Sequence, residues 1–356
     1  MGAKNYKAII VAGLCLLQAC VKDKPDPVNN HTIAGAGATY VVCEGNFGAG
    51  DATLYACNAA ADSVYGDLYE AANGQPLGDV FQSMTRIGDR YFLCINSSDK
   101  VIGINAATHK VEGVINIPKP RYVLAVGANK AYVTTLYSPR VYIINTQTLQ
   151  QTGIIELPAQ NPEGMCLYNG DAIITAWDTA SNKAYRIDPA TDRIKQTITA
   201  AGYATQAALV DAEQMLWILS GNQTKGKTAT WTRIDPSTGA ALATYTFPAA
   251  ADVLKPQLNV TKDTLYFIEV NYKGGADNNG IYRMGIHASA LPVEPFIAAQ
   301  RYQYFWGLGI HPATGNIYVG DPRGFIQKGL VMVYRPDGAL LHTFAVGRGP
   351  GMFCFD

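Results

Sequence analysis

Five carboxylates sit in contexts where a side chain could act on a ligand. They are Glu44 in Glu44-Gly-Asn-Phe, Glu163 in Asn161-Pro-Glu-Gly164, Asp178 after Trp177, Glu269, and Asp321 in Asp321-Pro-Arg-Gly-Phe325. Inward-pointing carboxylates around a divalent cation are the machinery of metal-assisted hydrolysis. The contexts Glu44-Gly-Asn and Pro162-Glu-Gly favour turn chemistry instead. The five histidines (His31, His109, His287, His311 and His342) are scattered, and no Cys-x-x-Cys or Cys/His pair has metal-ligand spacing. No nucleophile–base pair stands out.

The richer set is aromatic: Phe47, Tyr122, Tyr137, Trp177, Tyr203, Tyr272, Tyr304, Trp306 and Phe325, interleaved with Arg121, Arg140, Arg301 and Arg323. Flat aromatic surface with hydrogen-bond donors between the rings suits a large, partly apolar, amide-rich ligand, or a protein partner. The single Trp-Asp pair, Trp177-Asp178, does not recur and is no repeat signature.

These residues share a place in a repeat. Tyr40, Tyr91, Tyr132, Ile173, Trp217, Tyr266 and Tyr318 each open an apolar run, at intervals of 41 to 52 residues. A turn follows each run: Asn58-Ala-Ala, Asn105-Ala-Ala-Thr, Asn145-Thr-Gln-Thr, Asp188-Pro-Ala-Thr, Asp235-Pro-Ser-Thr-Gly, His287-Ala-Ser and Arg335-Pro-Asp-Gly. Four short strands per module at that period predict an all-β, seven-bladed β-propeller over residues 38–356. The innermost strands are expected at Ser83–Ile87, Val123–Val126, Gly164–Tyr168, Ala207–Val210, Leu258–Val260 and Trp306–Ile310. Thr39-Tyr-Val-Val-Cys43 lacks a preceding partner, and Gly351–Asp356 matches the missing strand, so the C-terminal strand is expected to close blade 1.

Such a topology sorts the loops. The loop after the second strand and the crossover into the next blade lie on one face, and that face collects the aromatic and Arg residues; the opposite face carries short Asp-Pro-x-Thr turns. Ligand binding is therefore expected on the first face, at Phe47, Tyr122, Tyr137, Arg140, Trp177, Tyr304, Trp306 and Arg323.

Lys4 and Lys7 precede the apolar run Ala8–Leu17, which is too short to span a bilayer, and Leu17-Gln-Ala-Cys20 resembles a bacterial lipobox. Residues 1–19 are expected to be a signal peptide and 20–37 a tether lipidated at Cys20. The charged Val-Lys-Asp-Lys-Pro-Asp-Pro after Cys20 looks like the signal that sends Bacteroidetes lipoproteins to the cell exterior. The remaining cysteines, Cys43, Cys57, Cys94, Cys166 and Cys354, fall on expected strands and read as small buried hydrophobes. A formal net charge of zero argues against nucleic acid or an anionic membrane surface as the main partner, so membrane attachment would come only through the lipid.

Glu44-Gly-Asn-Phe-Gly48 with Ala52-Thr-Leu-Tyr, Pro76-Leu-Gly-Asp-Val-Phe-Gln-Ser-Met84, Arg121-Tyr122, Leu136-Tyr-Ser-Pro-Arg140, Asp263-Thr-Leu-Tyr266 and Gly349-Pro-Gly-Met-Phe together resemble the YncE-like surface propeller lipoproteins of Bacteroidetes, and within them the BtuG-type cobalamin-capturing family. The resemblance spans residues 38–356. It implies an outer-leaflet anchor, a corrinoid ligand such as cobalamin, no catalysis and no cofactor. It further implies docking onto a TonB-dependent transporter barrel that receives the ligand. An Arg or Lys would meet the phosphate of the nucleotide tail. Two other readings remain open: a propeller hydrolase or lactonase using Glu163 and Glu44 with a divalent cation, and a non-catalytic module that lids another transporter.

Overall fold

The computed structural model of the chain describes residues 38–272 and 279–355. The segments expected to be a signal peptide and a tether lipidated at Cys20 lie outside them, as does Asp356. Among the described residues no helix is long and apolar enough to cross a membrane.

Seven four-stranded antiparallel sheets form a ring, a seven-bladed β-propeller with 54% strand and 5% helix. From the axis outward, the strands of each blade are called a to d here. The a strands are Pro350–Phe355 in blade 1, then Phe81–Ile87, Pro120–Gly127, Pro162–Tyr168, Thr205–Val210, Asp252–Leu258 and Gly307–Ile310. The b strands are Thr39–Cys43, Arg90–Ile95, Lys130–Thr135, Asp171–Ala176, Leu216–Asn222, Thr264–Val270 and Ile317–Asp321, and each holds one of the seven register residues.

Each b strand reads as a continuous apolar run because both of its faces are buried. Side chains alternate, so one strand serves two interblade cores. Tyr40 and Val42 pack with Tyr91 and Leu93 toward blade 2, while Val41 and Cys43 pack with Tyr318, Val331 and Val333 toward blade 7. Cys43, Cys57, Cys94, Cys166 and Cys354 all lie on strands, and burial pushes the Cys57, Cys94 and Cys166 thiols up to about 12. The turns between c and d strands are held locally. The carboxamide or carboxylate oxygens of Asn58, Asn105, Asn145, Asp188 and Asp235 each accept the backbone N–H two residues on, at 2.8 to 3.0 Å.

Ring closure follows the expected pairing, with Thr39 opposite Phe355, Tyr40 opposite Cys354 and Val41 opposite Phe353. Blade 6 differs. Its a strand is Asp252–Leu258, whereas Asn259 and Val260 belong to the next turn, where Asn259 Oδ1 accepts the N–H groups of Asp263 and Thr264. The alternation is broken by a bulge between Leu254 and Gln257, which carries Lys255 and Pro256 and moves the strand upstream of its apolar signal. An added helix, Leu68–Asn73, caps blade 1 and buries Leu68 and Tyr69; Asp67 is its N-cap, accepting the Glu70 N–H.

Candidate functional site

Entry into the a strands is sharply bent. Val80, Lys119, Asn161 and Ala204 immediately precede the a strands of blades 2 to 5, and all adopt positive φ, from 44° to 58°. A bulge follows within three residues in each of these strands: between Phe81 and Ser83, Pro120 and Val123, Pro162 and Met165, and Thr205 and Ala207. Blade 6 repeats the device at Lys255-Pro256. An extra residue in a strand re-aims its side chain. Gln82, Arg121, Tyr122, Glu163, Gln206 and Lys255, all at these bulges, line one axial funnel of about 560 Å³.

The walls of the funnel are aromatic. Phe47 stands at the mouth, 80% exposed, with Trp177, Trp306 and Phe325 below it. Trp177 is fixed by donating Nε1–H to the Gly221 carbonyl at 2.9 Å, and Trp306 meets Phe325 edge-on at 5.4 Å. Beneath lies a second cavity of about 280 Å³ along the axis, walled by Leu124, Met165, Leu209, Leu308 and Met352. The two share Tyr122, Gln206, Ala207, Lys255 and Pro256 at the neck.

Two ion pairs line the funnel beside this neck, one of them through Lys255. Arg121 donates Nε–H to Glu163 Oε2 at 2.8 Å and Nη2–H to Oε1 at 2.5 Å, and it also donates Nη1–H to Gln82 Oε1. Burial pulls the Arg121 pKa down, but the Glu163 charge and hydrogen bonds outweigh it and leave it raised, so this guanidinium stays charged. On the other wall Trp306 Nε1–H donates to Glu44 Oε1 at 2.9 Å, and the Lys255 ammonium stands 3.6 Å from the same oxygen. Glu44 is pressed against the closing strand: a Cβ on Gly351 would lie 2.2 Å from Glu44 Oε1, so any larger residue there would push the carboxylate aside.

Turn chemistry, expected from sequence at Glu44 and Glu163, is found at Asp178 and Asp321 and not at those two. Asp178 accepts the Gln160 and Ala180 N–H groups, and Asp321 accepts the Arg323 N–H and the Gln303 amide. Glu44 and Glu163 instead aim into the funnel, each beside a cation. Among the described residues no group of three or more His, Cys, Asp or Glu is close enough to hold a metal ion. A divalent cation at Glu163 would have to displace Arg121, which makes three charge-assisted or amide contacts there.

Of the residues expected on this face from sequence, Phe47, Tyr122, Trp177 and Trp306 line the funnel. The other four stand outside its lining. Tyr137, 80% exposed with φ 60°, donates its backbone N–H to Asn161 Oδ1. Arg140 reaches Glu156 at 3.4 Å on the surface. Tyr304 packs against Tyr272, and Arg323 begins a single 3-10 turn, Arg323–Phe325. The residues missed are Gln206, Lys255 and Pro256. Their signal is positional: Gln206 and Lys255 occupy the place at the bulge of their strands that Gln82 and Arg121 hold in theirs, and Pro256 that of Tyr122.

A ring of seven four-stranded blades with an axial, aromatic-walled funnel at one face is a seven-bladed β-propeller whose candidate site is that funnel. Residues 37–343 match the family described as "Domain of unknown function (DUF5074)", and the chain belongs to that family. No curated protein matches it by sequence. Among solved structures it is similar to a quinonprotein alcohol dehydrogenase-like protein from Bacteroides thetaiotaomicron, at 16% identity and TM-score 0.67 over 90% of this chain and 78% of that one. It is also similar to hydrazine synthase from Kuenenia stuttgartiensis, at 14% identity and TM-score 0.66 over 76% and 88% of the two chains. Streptogramin B lyase aligns at 12% identity and TM-score 0.54 over 76% and 86%. At these identities the likeness is one of fold, and the fold does not choose a function.

Proposed function

We propose that the protein captures cobalamin or a related corrinoid at the cell surface and passes it to a TonB-dependent outer-membrane transporter, without reacting with it. The observation that carries this reading is the funnel itself: aromatic walls at Phe47, Trp177 and Trp306 above a neck of amide and charged side chains. A corrinoid presents an apolar macrocycle fringed by amides, which matches rings interleaved with donors. The whole ligand exceeds a cavity of about 560 Å³, so one end enters the funnel while the rest lies against the mouth. The resemblance of Glu44–Gly48, Pro76–Met84 and Gly349–Phe353 to the cobalamin-capturing lipoproteins supports the same ligand class. A hydrolase or lactonase reading through Glu44 and Glu163 is less favoured, because both are engaged by Trp306, Lys255 and Arg121.

Titration calorimetry with cyanocobalamin tests this. Saturable heat and a shift of the corrinoid absorption at micromolar concentrations are expected; absence of both overturns it, and metal-dependent turnover of an ester or lactone would favour the hydrolase. Surface capture also requires lipidation at Cys20 and export by the charged stretch that follows. Surface labelling of whole cells should reach the protein, and Cys20→Ala should release it in soluble form. Protection from protease on intact cells would remove the surface-capture part.

A further inference from the structure

The four charged groups beside the neck are not equivalent. The guanidinium of Arg121 is occupied by Glu163 and Gln82. Lys255 has a single charged neighbour, Glu44, whose oxygen is 3.6 Å from Nζ and beyond good hydrogen-bond range. Among the described residues no protein acceptor takes a hydrogen bond from that ammonium, although its side chain is only 19% exposed and Trp306 lies 5.7 Å from it. An ammonium carries three donors, and those of Lys255 open onto the funnel rather than onto protein acceptors.

The backbone points the same way. Lys255 has φ 50°, a left-handed conformation that a non-glycine residue adopts at a cost, and it precedes Pro256, which disfavours compact conformations of the residue before it. The bulge between Leu254 and Gln257 holds it there and turns it into the funnel. Strain of this kind persists where the surrounding fold imposes it, characteristically at ligand clamps.

From this geometry we propose that Lys255 is the anion-reading group of the funnel: its ammonium takes a phosphate-type oxyanion of the ligand at the neck, with Trp306 beside it. The proposal rests on the corrinoid reading for its natural ligand, in which the anion is the phosphodiester of the nucleotide tail. It assigns that role to Lys255 rather than to Arg121, whose charge is paired with Glu163, or to Arg140 and Arg323, which stand outside the funnel lining.

The test compares cyanocobalamin, which carries the phosphodiester, with cobinamide, which lacks the nucleotide tail. Each is titrated into wild-type protein, Lys255→Gln and Lys255→Arg, with thermal unfolding as the check on folding. Lys255→Gln should weaken cyanocobalamin binding at least roughly tenfold and change cobinamide binding less than about twofold, with Lys255→Arg restoring most of the loss. Equal losses for both ligands, or none for either, would overturn the assignment. If the wild-type protein binds neither corrinoid, the reading in the preceding subsection fails separately. The anion site is then decided by inorganic pyrophosphate: stabilisation of the wild type that Lys255→Gln abolishes upholds it, and no difference between the two proteins overturns it.

Discussion

Arg121 of blade 3 and Glu163 of blade 4 grip each other side-on in a bidentate pair across a blade boundary, with Nη2 2.5 Å from Oε1 and Nε 2.8 Å from Oε2. Their side chains are 15% and 7% exposed, so each partner depends on the other for its solvation. Glu163→Gln or Arg121→Met alone should destabilise the protein by about 3–5 kcal/mol, because a buried charge is left without its counterpart. Replacing both by apolar residues should recover most of that loss. Denaturant unfolding of the two single variants and the double variant measures this; additive losses would contradict mutual dependence.

The two tryptophans of the funnel should act differently from the aromatic outside its lining. Trp177→Ala and Trp306→Ala are each expected to weaken ligand binding by about tenfold or more, equivalent to about 1.4 kcal/mol or above, whereas Tyr137→Ala should have an effect near zero. Thr191→Ala and Ser237→Ala, in c–d turns of the opposite face, should leave affinity unaltered. Calorimetry alongside thermal unfolding separates binding from packing. Normal binding by both tryptophan variants would move the site away from the funnel.

Burial, helped by the neighbouring Glu70 charge, raises the Asp67 carboxyl to about 6. A carboxyl that holds its proton more tightly when folded favours the native state at low pH. That contribution is fully present below the unfolded value near 3.8 and lost as pH rises through about 6. Asp67→Asn keeps a capping acceptor for the Glu70 N–H and removes the titration. The variant should therefore gain on the wild type between pH 4 and pH 7, by on the order of 2 kcal/mol. Parallel unfolding series at the two pH values check it, and a constant difference would exclude Asp67 as the cause.

Removing Gly351–Asp356 should abolish cooperative unfolding, since it leaves Thr39–Cys43 an open edge and uncovers Val41 and Cys43. A truncated protein that melts like the intact one would mean the ring does not depend on this strand.

The blades were legible in sequence because strand b of each carries apolar residues on both faces, giving Tyr40, Tyr91, Tyr132 and their counterparts a regular beat. The funnel was legible only in its aromatics. A bulge interrupts the two-residue alternation from which facing is read, and it is fixed by pairing with the next strand; hence the sequence pattern does not mark Lys255 and Gln206, and it points to Leu258–Val260 instead of Asp252–Leu258. The partners of Glu163 and Glu44 come from neighbouring blades. Arg121 lies 42 residues from Glu163, and Trp306 lies 262 from Glu44, so no local pattern announces either contact.

The pairing of Val41 with Phe353 also sets the order of events in folding. Contacts within a blade form between residues close in the chain, while this one joins ends about 310 residues apart. Closing such a loop costs roughly 2 kcal/mol more in chain entropy than closing one of blade length, about 40 residues. Joining the ring is therefore expected to be the slow step, as non-local pairings generally are. Gly351 meets Glu44 in that same step, so the neck takes its final shape only then. In a refolding time course, ligand capture should rise with the slowest phase and lag behind strand formation, which makes binding a clock for completion of the molecule.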